Sequence, residues 1–466
     1  MAKGREARRR VPLSAHGAWA AGADRPDPIA LIEEQNRTRD ADLVPVRRGR
    51  MMVSPFTFFR GAARIMASDL SRTPNAGLIV QLCGDAHLSN FGMYASPELE
   101  LMFDVNDFDE TLPGPFEYDV KRMATSFTIA AHNNAFSTAA ARSTTSASVA
   151  AYRNAMGRFA RMGVMDIWSA HLDEAELQAG LRQPPAGSKK AAKKTRKQTK
   201  REEQILVRTE AQARTRDSLQ ALSKLGELVD GRYRIVSQPP IVVPLRELAA
   251  TYGISADEVE PLIHQQFVNY RSTLPDDRRR LLEQFRIVDM ARKVVGVGSV
   301  GTRDFVVLLQ GRDQKDPLFL QVKEATSSVL EDHLPKSRYE NHGERVVQGQ
   351  LLMQAASDIF LSWTTGVDVH RNFYWRQLRD MKASADVESM RPAGLTSYAA
   401  ICGWALARAH ARSGDPIAIA TYLGTSDAFD RAVTAFSERY AAQNEGDYKA
   451  FVAEVRSGKL AAREGV

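Results

Sequence analysis

The chain has 466 residues, 44% of them apolar and 26% charged, a globular composition that excludes wholesale disorder and a collagen-like repeat. Two cysteines, Cys83 and Cys402, exclude a disulfide scaffold and a CxxC metal or redox motif, and no run of about 18 apolar residues is present to cross a membrane. The net charge of +7 is concentrated in one place: residues 188–201 hold eight basic residues and no acidic one, and without them the balance would be −1.

Residues 1–50 are polar and Arg-rich. They predict an exposed basic arm with one short helix over 28–35. The apolar part near His16 is too short for a cleaved signal, and with so few cysteines the expected compartment is the cytosol. From Ser54 the spacing predicts a helix, with Ser54 as cap, Pro55 as first helical residue, and Phe58, Ala62, Ile65 and Met66 on one face. Short strands are predicted over 78–82, 91–95 and 100–105. After Pro113-Gly114-Pro115 a helix begins near Asp119, with Val120, Met123, Ala124, Phe127 and Ala131 as a buried stripe. Residues 135–290 read mainly as helix, interrupted by Pro239-Pro240 and by the basic tract. That tract, within a 184–203 segment, reads as a solvated, flexible insertion. Nucleic-acid binding through it is the alternative, although no aromatic residue is interleaved to stack on bases. From Val294 the texture changes to strand, glycine turn, strand, polar turn, strand. A helix follows from about Gly343, then strand-like 359–364 and 372–378, and helix again from Thr396.

The densest polar constellation lies between Gly84 and Asp119, in GDAHLSNFG, FDVNDFDET and GPFEYD. A hairpin of this length brings Asn90 and Asp107 to one edge. A carboxylate and an amide oxygen suit Mg²⁺, which takes hard oxygen ligands, and Asp109 is a further candidate ligand. Asp85 beside them could orient a hydroxyl and accept its proton. His87 reads as a donor that organises the loop. Asp119 precedes a helical stripe, where an N-cap is the simple explanation.

Gly296, Gly298 and Gly301 spell GxGxxG, with Ser299 inside the turn. The β-branched and aromatic residues that follow, Phe305 to Leu309, predict a strand, whereas a dinucleotide-binding fingerprint needs a helix there. A strand–glycine–strand hairpin can instead lie over phosphates. Alternation in LFLQVKEA places Phe319, Gln321 and Lys323 on one face, so that Lys323 could reach a nucleotide's α- and β-phosphates. Glu344, sharing a helix face with Val347, Gln348 and Leu351, is the carboxylate expected to hold it, with Glu331 as competitor.

These pieces resemble the protein kinase-like superfamily, and its small-molecule phosphotransferases most closely. Gly84-Asp85-Ala86-His87-Leu88-Ser89-Asn90 is similar to that family's GD-x-H-x-x-N catalytic loop. Asn106-Asp107-Phe108-Asp109 is similar to its DFG element, with DFD in place of DFG. Pro115 to Asp119 is similar to the stretch that braces the catalytic loop. The stretches GDAHLSNFG, NDFDET, ARKVVGVGSVGTR and RQLRDMK also resemble a bacterial family named only as domain of unknown function 2252, over roughly residues 45–440.

The resemblance implies an α+β, two-lobed kinase-like fold with a small antiparallel β lobe and a larger helical lobe. Lys323 follows Asp85, the reverse of the kinase order, so the lobes would be permuted in sequence. The implied division is an arm 1–50, a helical catalytic part 51–290, a nucleotide-binding β part 291–382 and a helical part 383–466. The implied activity is ATP- and Mg²⁺-dependent phosphoryl transfer to a hydroxyl of an unknown small molecule or protein. In it Asp85, His87 and Asp119 form the catalytic group and Asn90, Asp107 and Asp109 the metal group. Gly296, Gly298, Ser299, Gly301, Lys323 and Glu344 form the nucleotide group. Nucleotidyl transfer, or nucleotide binding without turnover, are the alternatives.

Overall fold

A computed structural model of the protein describes residues 1–172, 218–255, 257–378 and 385–465. The basic tract and the end of the RQLRDMK stretch lie outside the described residues.

Apolar side chains at helical spacing fix the centre. Val120, Met123, Ala124, Phe127 and Ala131 are all fully buried in the helix Glu117–Asn133. Its opposite face carries Lys121, Arg122, Thr125 and Ser126, also buried, so the helix is enclosed all round. Helices Thr138–Phe159, Pro392–Ser413 and Ala428–Arg456 surround it. The start signal at Ser54 is a capping box with Pro55 first in the helix Pro55–Gly61, and Phe58, Ala62, Ile65 and Met66 are buried.

Two short ribbons sit against this bundle. Strand β1 (Ile79–Leu82) and strand β2 (Phe91–Ala95) flank the GDAHLSN loop; β2 pairs with β3 (Leu101–Val105), and β1 with β4 (Leu112–Pro115). A third ribbon, β5 (Gly226–Val229) with β6 (Arg232–Ile235), and a short strand β7 (Val242–Pro244) fall where the sequence read as helix. Strands of three or four residues carry too little period to register against a helical background.

The main sheet adds β8 (Arg286–Lys293), β9 (Asp304–Gln310), β10 (Pro317–Ala325), β11 (Ser362–Thr365) and β12 (Asn372–Gln377). It has six antiparallel strands in the order β11-β12-β10-β9-β8-β7. Alternation on β10 holds: Leu320 and Val322 pack with Phe267, Tyr270 and Trp375, while Phe319 packs on the other face with Leu222 and Leu225. The fold is thus mixed α+β, about half helix. Among the described residues no helix is long and apolar enough to cross a membrane.

Two expectations need correction. Residues 1–50 are not an exposed arm. Helices Ala2–Arg10, Pro28–Asn36 and Val44–Met51 fold onto the body, and Arg47 is fully buried with its guanidinium on Asn36 Oδ1, Gln35 Oε1 and Gly61 O. Arg25 bridges Asp69 at 2.8 Å and Asp447 at 2.6 Å. These partners lie far along the chain, so the local pattern looks merely polar. The helix His342–Met353 also buries a different face from the one expected. Arg345, Val346, Val347, Gly349, Gln350 and Met353 are buried, so of the expected face only Val347 is; Glu344 and Gln348 are half-buried and Leu351 is exposed.

Candidate active site

The loop after β1 begins at Gly84, whose φ of +84° and close approach to the Glu110 carbonyl leave no room for a Cβ. Asp119 braces this loop from the central helix. Its carboxylate accepts hydrogen bonds from Cys83 N at 2.8 Å and Gly84 N at 3.0 Å, and lies 3.2 Å from His410 Nε2. Asp119 is therefore not an N-cap; Phe116 holds that position, and the carboxylate reaches sideways.

Asp85 is held by the buried guanidinium of Arg122, with Nε donating at 2.8 Å. Its carbonyl oxygen accepts from His87 N at 2.7 Å and Asn90 Nδ2 at 2.8 Å, so the loop curls around Asp85. His87 is buried, with Nε2 3.7 Å from Asp85 Oδ2. Burial, with the charges of Arg60 and Arg122, holds His87 well below its usual range and therefore neutral. Asn90 directly precedes β2, and the register Phe91↔Val105 sets it beside Asn106, whose N–H donates to the Asn90 carbonyl at 2.8 Å. The hairpin thus brings Asn90 and Asp107 to one edge.

Two residues on, Asp109 meets the main sheet. Lys323 Nζ lies 2.5 Å from Asp109 Oδ2, and Tyr374 Oη donates to Asp109 Oδ1 at 2.7 Å, although Lys323 and Asp109 are 214 residues apart in sequence. Burial alone would lower Lys323, but Asp109, Tyr374, Asp107 and Asp304 outweigh it and hold the ammonium charged. Burial would likewise raise Asp109, but Lys323 and Tyr374 hold it below the usual carboxylate range. Asp107 is pushed up by burial and then by Asp109. The carboxylate that positions Lys323 is thus Asp109 rather than Glu344. Neither Glu344 nor Glu331 is needed there, and Glu331 lies 3.9 Å from Arg345 Nε. The cause is Arg345, which fills the inward position next to Glu344 and donates to the carbonyls of Asp109, Thr111 and Thr326.

The glycine segment lies between β8 and β9, with Gly296 at φ +63° and Gly301 at φ +91°. It bounds a cavity of about 120 Å³. One wall carries Asp85, His87, Asn90, Asp107 and Asp109, the other Gly296, Gly298 and Ser299. Lys323 stands behind Asp109, and Gly301 behind the wall, its carbonyl accepting from Asp40 N at 2.7 Å. The folded N-terminal segment closes the remaining side with Arg39 and Arg60. Arg50 donates to Gly296 O at 2.6 Å and Arg39 to Val300 O at 2.5 Å, so this segment straps the glycine turn down.

Sequence reasoning missed two residues that line the cleft and one buried behind it. Arg39 and Arg60 gave no signal because both sit in stretches that read as surface or packing. Asp304 faces Lys323 across the β9–β10 ladder, 2% exposed, with neither carboxylate oxygen hydrogen-bonded among the described residues. Burial pushes it up to about 8, Lys323 opposing and Asp109 adding, so at pH 7 it is mostly the neutral acid.

The donors present fit Mg²⁺. Asn90 uses its amide nitrogen on the loop, which leaves the oxygen for a cation beside Asp107. Among the described residues no three His, Cys, Asp or Glu side chains converge as an all-protein metal centre. A cavity of about 120 Å³ has room for a phosphate-sized group, not for a whole nucleotide, which needs roughly 300 Å³ or more.

Fold and cleft define an α+β protein in which a glycine turn from an antiparallel sheet faces an acidic loop from a helical bundle. A family model described as "Uncharacterized protein conserved in bacteria (DUF2252)" matches residues 39–454, and the chain belongs to that family. No curated protein and no solved structure matches the chain significantly, and none of these comparisons bears out the likeness to protein kinases.

Proposed function

We propose that the protein is an ATP- and Mg²⁺-dependent phosphotransferase with a permuted kinase-like arrangement of its two parts. The observation that carries this reading is the single cavity bounded by Gly296, Gly298 and Ser299 on one side and Asp85, Asn90 and Asp107 on the other. Segments about two hundred residues apart converge there with a buried lysine behind them. Asp85, oriented by Arg122, accepts the proton of an acceptor hydroxyl. Asn90 and Asp107 would hold Mg²⁺, which would supply charge neutralisation to the phosphates. Lys323, set by Asp109 and Tyr374 behind the cavity wall, adds positive charge on the side of the α- and β-phosphates, and the glycine backbone covers them. Asp119 keeps the Cys83–Gly84 amides, and with them Asp85, in place.

The size of the cavity adds a requirement. A whole nucleotide would need the cleft to open, and the restraints on the glycine turn include its hydrogen bonds from Arg39 and Arg50.

A thermal-shift titration with ATP, with and without Mg²⁺, tests the reading. Wild type should gain stability only with metal, by about 2.7 kcal/mol at 100 times Kd. Asp107→Ala should show no metal-dependent gain. A gain of equal size in both proteins would remove Asp107 from the site, and no gain in wild type would end the phosphotransferase reading.

A further inference from the structure

We propose that Arg60 is a catalytic residue of this cleft, whose guanidinium neutralises the phosphoryl group as it passes from nucleotide to acceptor. This rests on the phosphotransferase reading and adds a residue from outside the glycine loop, the acidic hairpin and the lysine strand.

Arg60 is held in place on three sides. Its helix, Pro55–Gly61, is pinned at its start by the Ser54 capping box. At its end, Phe59 O accepts from Arg122 at 2.8 Å, and the Arg122 guanidinium lies 3.8 Å over the Phe59 ring. That same guanidinium grips Asp85. Arg122 therefore ties the residue before Arg60 to the proposed base. On the other side, a Cβ placed on Gly298 would lie 3.3 Å from Arg60 O, so the glycine turn closes onto the end of this helix.

The side chain of Arg60 lines the cavity with Asp85, Asn90, Asp107 and Gly298. Its Nε is buried with no hydrogen-bond partner among the described residues. The carboxylates acting on it are Asp85, Asp107 and Glu388. Asp85 is paired with Arg122 and Asp109 with Lys323. The neighbouring cations give donors elsewhere, Arg39 to Val300 O, Arg345 to three carbonyls and Arg376 to Gln321 Oε1, although Arg39 Nε and Arg345 Nε are, like Arg60 Nε, buried without a partner among the described residues. Arg60 is left with donors to give, between the base and the metal pair.

That is where negative charge sits in flight. The bond from the γ-phosphorus to the β,γ-bridging oxygen breaks, and ADP leaves with the electron pair. A bond from phosphorus to the acceptor oxygen forms, and the acceptor's proton passes to Asp85. Arg60 exchanges no proton. It offers a planar fork of N–H groups to the equatorial oxygens, a geometry a lysine point charge matches poorly.

The test uses the full chain and needs no acceptor. Mg²⁺·ADP affinity is measured with and without fluoroaluminate, a planar mimic of the phosphoryl group in flight. In wild type, fluoroaluminate should tighten ADP by about 100-fold or more. Arg60→Gln should bind Mg²⁺·ADP within about threefold of wild type, melt normally without ligand, and lose at least about tenfold of the tightening. Arg60→Lys, which keeps the charge and the stem, should retain part of it, and it carries the test if the glutamine variant does not fold. Undiminished tightening in Arg60→Gln overturns the proposal while leaving the phosphotransferase reading intact. Loss of ADP affinity together with a lower melting temperature also overturns it, because Arg60 would then be structural. A wild type that binds Mg²⁺·ADP but gains nothing from fluoroaluminate sinks the role of Arg60 alone. A wild type that binds no ADP sinks the underlying reading as well.

Discussion

Lys323→Met is expected to lose about 3–5 kcal/mol of stability at neutral pH and all Mg²⁺-ATP binding. Lys323 is 2% exposed, and its ammonium is the close counter-charge of Asp109. Removing it leaves Asp107, Asp109 and Asp304 together, with Arg376 as the remaining cation acting on all three. In wild type Asp109 sits below its unfolded range, so its contribution is present above that range and lost as pH falls through the folded value. Above the ordinary carboxylate range the wild-type contribution of Asp109 is constant, while Asp304, pushed up to about 8, already makes stability fall as pH rises. Without Lys323 the Asp109 carboxyl is raised as well, so in the variant that fall should steepen. Urea denaturation at pH 5 and pH 8 reads this directly. The double variant Lys323→Met/Asp109→Asn should regain most of the stability and none of the nucleotide binding. A single variant as stable as wild type at pH 8 would show that the pair is not buried.

Asp119→Ala should cost about 3 kcal/mol and loosen the acidic loop. The carboxylate, 1% exposed, takes the Cys83 and Gly84 amides and faces His410, whose Nδ1 lies 2.9 Å from Tyr152 Oη. Truncation leaves the buried Cys83 N–H and the half-buried Gly84 N–H without this acceptor, at about 1–3 kcal/mol for the buried one and less for the other. Hydrogen exchange at Cys83 and Gly84 should accelerate by at least about 100-fold, and the Mg²⁺-dependent response to ATP should weaken, because Asp85 follows Gly84 directly. Unchanged protection of those two amides would mean that Asp119 does not hold the loop.

Local pattern made some of this legible in advance. The Ser54-Pro55 start, the stripe from Val120 to Ala131 and the strand after Gly301 are each fixed by neighbours in sequence, and each reads correctly. Asp85, Asn90 and Asp107 were legible as a group because short loops and a hairpin connect them. Other features depend on residues hundreds of positions away. Arg25 reads as a surface charge until Asp69 and Asp447 arrive around it. Arg345 points inward to three carbonyls that nothing near it in sequence announces, and Glu344 beside it is only half-buried. The partner of Lys323 was misassigned for that reason: a helix was expected to supply it, and the acidic hairpin supplies it instead. Strands β5 to β7 were too short for their period to show.

The central claim is that one cleft grips a triphosphate with the glycine turn and its metal with the acidic hairpin. A crystal of the protein with Mn²⁺ and a non-hydrolysable ATP analogue, measured at the manganese absorption edge, tests it most directly. The account predicts an anomalous peak within coordination distance of Asp107 and the Asn90 side-chain oxygen, with phosphate density beneath residues 296–301. A manganese peak away from Asp107, or analogue density outside the cleft between Gly298 and Asp85, would contradict it.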